Sequence, residues 1–155
     1  MIQRIQTLYL LGIVILSALT VSLPIAELIN VKENLHYLMD FKGISLIQAG
    51  GNLVESTTWL LSSFATVFGI IALTTIFSFK NRVKQIRLSV LNMVFMLGYY
   101  LLLCIYIWLA CNRLNTEWHL HFSTVFPLVS IILNYLAIGA IGKDENLVKS
   151  ADRLR

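Results

Sequence analysis

Few residues in this 155-residue chain have types and spacings that could carry a reaction. Cys111, His119 and His121 are the closest approach to a nucleophile with a base. A thiol reacts as its thiolate, so it needs a neighbour to take the proton. Glu117, His119 and His121 alternate, and extended backbone would turn all three to one side, an arrangement that suits a metal ion. Only two of those ligands are imidazoles. His36 stands near Glu33 and Asp40 at helical spacing. The commoner role of such residues beside apolar runs is that of solvated interfacial groups. No catalytic residue, metal ligand or cofactor is therefore assigned, and the chain is expected not to be an enzyme. Cys104 and Cys111 are seven apart, some 10 Å of helical rise, which is too far for an internal disulfide within a helix.

A second set is polar but uncharged. Asn134 and Asn92 fall inside apolar runs, where an amide must find a partner. Hydrogen bonding between helices is the expected use. A lining for a substrate or ion path, formed in an oligomer by Asn134, Ser130 and Thr66, is the alternative. Ser62, Ala65, Thr66 and Gly69 recur at spacings that let helices approach closely. Gly12 and Ser17 are the residues expected to face them.

The third set is cationic. Lys80, Arg82, Lys84 and Arg87 crowd one short segment, and Lys149, Arg153 and Arg155 follow near the C-terminus. A topology anchor touching anionic lipid headgroups is the expected role. A docking patch for an acidic partner is the sharper one. Nucleic acid is not an expected partner.

The elements that must position these residues are four uncharged apolar runs, 5–26, 57–79, 88–110 and 122–142. Each has the length a helix needs to cross hydrocarbon. With 57% hydrophobic and 13% charged residues, the chain is far below the quarter charged that is usual for soluble domains. An all-α integral membrane fold is expected: an antiparallel bundle of four transmembrane helices in a single domain. The first run is read as an uncleaved span, because it is long for a signal peptide and no small-residue cleavage site follows.

Lysine and arginine set the orientation. Nine lie at the two termini and in the second loop, and three in the first and third loops. Positive residues stay cytoplasmic. Both termini and 80–87 are therefore assigned to the cytoplasm. Trp59, Trp108 and Trp118 all map to the opposite boundary, where indoles favour the headgroup region. Pro24 and Pro127 fall near the ends of spans, where few helical bonds are lost. The extracytoplasmic segment 27–56 is the sizeable loop. One or two helical turns are expected over Glu33–Asp40, with Gly43 ending them. A short hairpin is expected from Ile44–Gln48 and Leu53–Glu55 around a turn at 49–52, with an irregular loop as its rival. The tail 143–155 has a helical pattern, with Glu145 and Lys149 as an i,i+4 pair. It would either continue the last span or lie on the membrane surface.

Four segments together resemble a known family. They are Met1-Ile2-Gln3-Arg4-Ile5-Gln6-Thr7, then Lys80-Asn81-Arg82 with Gln85-Ile86-Arg87-Leu88, then Phe126-Pro127-Leu128 with Ser130-Ile131, and the closing Lys143–Arg155. The chain resembles an uncharacterised four-span inner-membrane family of Bacteroidetes, a domain of unknown function. The likeness spans the whole chain and is weakest in 27–56. It implies bacterial inner-membrane residence and supplies no activity or site residues.

The expected function is a non-enzymatic accessory or scaffold subunit of the bacterial inner membrane. It would work through helix–helix and cytoplasmic-face contacts, with a membrane-protein partner or a second copy. A small transporter or channel component is the alternative. A membrane-boundary enzyme using Cys111, His119 and His121 is the second alternative.

Overall fold

The computed structural model describes residues 3–30, 35–47, 53–79, 81–114 and 116–153. Its helices are α1 (Gln3–Ser22), α2 (Trp59–Phe77), α3 (Arg82–Leu114) and α4 (Val125–Arg153). Each contains a window long and apolar enough to cross a membrane, the pattern of a multi-pass membrane protein. In lipid every backbone N–H and C=O must be satisfied within the segment, which helices achieve. At 33 residues α3 is about 50 Å long, well beyond a hydrocarbon core of about 30 Å.

The helices pack in a closed ring, α1 on α2, α2 on α3, α3 on α4, and α4 back on α1. Consecutive helices run in opposite directions. Ser17 of α1 meets Gly69 of α2, and Gly12 meets Leu133 of α4. Gln85 of α3 reaches Thr75 of α2, while Asn134 of α4 reaches Ser89 of α3. The expected partnership of span 1 with the small residues of span 2 is thus realised at Ser17. A Cβ built on Gly69 would run into the Ser17 hydroxyl, with Ser17 Cβ at 3.1 Å. Gly12 turns instead to α4.

Each helix buries a stripe at helical spacing: Leu61, Ala65, Phe68 and Ala72 on α2, and Asn92, Met96, Tyr99 and Leu103 on α3. Phe68 and Tyr99 meet edge to face, with ring centroids 6.1 Å apart. The outward faces carry Leu8, Ile15, Val94, Leu101 and Ile132. They are as apolar as the inward faces, which is what a lipid exterior allows.

The all-α expectation is corrected by a five-stranded antiparallel sheet at one end of the helices. Its strands are β1 (Ala26–Asn30), β2 (Leu35–Met39), β3 (Ile44–Leu46), β4 (Leu53–Ser56) and β5 (Glu117–Leu120), in the order β4-β3-β2-β1-β5. The expected hairpin is present as β3 and β4; its turn at 49–52 and Gln48 lie outside the described residues. The expected helical turns before Gly43 are instead strand β2. Leu35, Tyr37 and Met39 alternate with His36 and Leu38, and pairing with β1 on one side and β3 on the other takes up the backbone groups. Asp40 closes the β2–β3 turn, its Oδ1 accepting from the Lys42 and Gly43 amides at 2.9 and 3.1 Å. The fifth strand comes from the short connection between α3 and α4 and pairs with β1 across a long stretch of chain.

The sheet is docked on the helices through its inner face. Register places Ala26, Leu28, Tyr37, Met39 and Leu46 on one side, all buried in a core continuous with the helices. Thr58 Oγ1 donates to the Asp40 carbonyl at 2.6 Å, and Ser62 Oγ to the Phe41 carbonyl at 2.8 Å. Asn30 Nδ2 donates to the Leu114 carbonyl at 3.0 Å, which satisfies an orphan acceptor at the end of α3. Ser123 Oγ donates to the Pro24 carbonyl. One further boundary differs from expectation: residues 82–87 form the start of α3 rather than a tight loop. The tail to Arg153 continues α4, one of the two courses expected for it.

Candidate functional site

Polar side chains gather at three levels of this fold, two inside the helix ring and one on the sheet. At the end away from the sheet, α1, α3 and α4 meet around Asp144. Gln6 Nε2 donates to Asp144 Oδ2 and to the Ala140 carbonyl, both at 3.1 Å. Arg82 Nη1 donates to the Asp144 carbonyl at 2.6 Å and lies 3.8 Å from Asp144 Oδ2. Asp144 is only 7% exposed. A buried carboxylate needs such partners, because its desolvation is otherwise costly. One turn further along α3, buried Gln85 donates to the Thr75 carbonyl at 3.0 Å. Arg82 is therefore tied inside the fold, whereas Lys84 and Arg87 remain exposed. Lys149 and Arg153 lie on the final turns of α4. Lys80 and Arg155 lie outside the described residues.

The second group sits between α3 and α4. Asn134 Nδ2 donates to the Ser89 carbonyl at 2.8 Å. Asn92 is 1% exposed, although its place is near the start of span 3. The cause is the early start of α3 at Arg82, which puts Asn92 almost three turns inside the helix. Both amide atoms of Asn92, Asn134 Oδ1 and Ser89 Oγ are buried without a hydrogen-bond partner. Ser130 Oγ donates back to the Phe126 carbonyl. Thr66 is exposed and donates back to the Ser62 carbonyl. Thr66 thus points away from the ring, while Ser130 and Asn134 face into it, so a single chain does not bring the three together.

The third group lies on the sheet's outer face. Register puts Glu27 opposite His119, and Ile29 opposite Glu117. His36 Nδ1 and Glu27 Oε1 are 3.0 Å apart. Glu27 thus stands between an imidazole on each neighbouring strand, a ladder that no local spacing announces. Among the described residues no three of His, Cys, Asp and Glu gather as a metal set.

Cys111 is on the other side of β5. It lines an apolar groove of about 320 Å³ with Leu103, Cys104, Trp108, Trp118 and Leu120. Trp118 and Leu120 have the strand parity opposite to Glu117 and His119. The backbone therefore separates the thiol from His119. His121 follows the strand, with its Nε2 buried and without a hydrogen-bond partner among the described residues. Both cysteines are free. Trp59, Trp108 and Trp118 are 66%, 65% and 55% exposed, all at the sheet end.

The members of this buried tie that sequence reasoning missed are Gln6 and Asp144. The one signal is composition: an aspartate two residues past an uncharged span, with a lone glutamine early in another.

The family profile described as Domain of unknown function (DUF4293) matches residues 2–154, and the chain belongs to that family. No curated protein matches it.

Proposed function

We propose that this family member is a multi-pass protein of the bacterial inner membrane that acts without catalysis, as an accessory or scaffold subunit. The observation that carries the reading is how the buried polar groups are used. Gln6, Arg82 and Asp144, Gln85 and Thr75, and Asn134 and Ser89 all join one helix to another. Polar atoms spent in this way stiffen a frame. The frame carries a sheet whose outer face is free at one end, and exposed Lys84 and Arg87 at the other.

In this reading both termini and the α2–α3 connection face the cytoplasm, following the bias of nine lysines and arginines against three. The sheet then stands outside. Lys84 and Arg87, with Lys149 and Arg153 at the same end, meet anionic headgroups or an acidic partner. A reporter fused at Asn81 is expected to read cytoplasmic, and an external signal there inverts the assignment. Crosslinking in native membranes followed by mass spectrometry is expected to recover a membrane-protein partner in stoichiometric amount. Recovery of the chain alone counts against the scaffold role.

The second reading is a transporter or channel component, favoured by the unpartnered amide atoms of Asn92 and Asn134. Solute flux in proteoliposomes that falls with Asn92→Leu would establish it.

A further inference from the structure

We propose that the seam between α1 and α4 holds the acyl chain of an anionic phospholipid, with its phosphate on Lys143. A groove of about 710 Å³ runs along this seam, walled by Ile5 and Tyr9 of α1 and by Tyr135, Gly139 and Lys143 of α4. Its size falls in the range of small-ligand sites. From Tyr135 to Lys143 the helix rises about 12 Å, close to one leaflet's hydrocarbon depth of about 15 Å.

Two features point to a lipid. The first is Gly139. A Cβ there would have nothing within 4 Å, whereas one on Gly12, Gly69 or Gly98 would press on a neighbouring helix. Packing within the chain thus does not explain the missing side chain, and its effect is to keep the groove open. The second is Lys143, which is exposed at the groove's end and has no carboxylate partner among the described residues. The adjacent Asp144 does not neutralise it, because that carboxylate is buried against Gln6 and Arg82. An unpaired cation at the mouth of an otherwise uncharged groove complements a phosphate. A second copy of the chain fits worse, since a two-fold contact through this seam sets one Lys143 against the other.

The inference needs bilayer residence but not the scaffold role, so its failure leaves that role standing. The test is native mass spectrometry of the full chain. The purified protein is equilibrated with equal amounts of phosphatidylglycerol and phosphatidylcholine of identical acyl composition. The wild type is expected to retain phosphatidylglycerol with about a fivefold preference, the scale one basic residue confers near an anionic surface. Lys143→Gln is expected to abolish the preference, and Lys143→Arg to restore it. Gly139→Leu fills the groove and is expected to reduce retention of both lipids while leaving the thermal melt unlowered. Equal retention of the two lipids by the wild type overturns the proposal. So does undiminished retention in Gly139→Leu, or a wild-type dimer that this substitution dissolves.

Discussion

The two ends of the helix ring hold their polar groups in opposite ways. At the end away from the sheet, Asp144, Gln6 and Arg82 turn inward and tie three helices together. At the sheet end, Glu27, His36 and His119 stand on the outer face of a sheet whose inner face is apolar. The difference follows from the connections. Buried helix ends can only meet one another, whereas a sheet has two faces and can bury one while offering the other. The buried charge at the first end holds the frame, and the charge on the sheet lies on its outer face.

Removing the carboxylate at the tied end should be the most damaging change. Asp144→Ala takes the carboxylate from Gln6 and Arg82, which keep their backbone acceptors, and is expected to cost about 3 kcal/mol in an SDS-unfolding titration, the upper end for hydrogen bonds to a charged group because two contacts go together. A loss under about 1 kcal/mol would mean the tie is ornamental, and the contrast between the ends would go with it. Gly69→Leu tests the frame between the ends. Its side chain must displace Ser17, so a loss of about 1–3 kcal/mol is expected by the same titration. Thr58→Val tests how firmly the sheet is held. It leaves the Asp40 carbonyl without its donor and should cost about 1 kcal/mol, with faster amide exchange in β2 and β3 than in the helices. The smallest effect belongs to the outer face. His36→Ala should change stability by under about 0.5 kcal/mol, because its pairing with Glu27 is exposed. A larger loss there would show that the outer face is part of the frame.

The uneven legibility of the chain has physical causes. Asn134 was expected to bond across helices and does, because a buried amide has no water to turn to. Gly12 and Ser17 are expected against the small residues of span 2, and Ser17 meets one of them, Gly69, since small residues mark close approach. The role of Arg82 was misread. Its spacing within a basic run looks like a surface patch, and its partner is 62 residues away. Cys111 and His119 are near in sequence, but strand alternation puts them on opposite faces. Helical turns were expected over the segment that forms β2. Its pattern there is too short to separate the two periods, and pairing with β1 decided between them.

What the sequence determined by itself is the set of four spans and the bias of charge between the two ends, because hydrocarbon thickness and the exclusion of charge act on every residue of a run regardless of its neighbours. Only the tertiary structure decided the five-stranded sheet, with its last strand drawn from the far connection, and the tie of Gln6 to Asp144 across 138 residues. Strand pairing and buried polar contacts are pairwise, and a pair leaves no mark on either partner's local pattern.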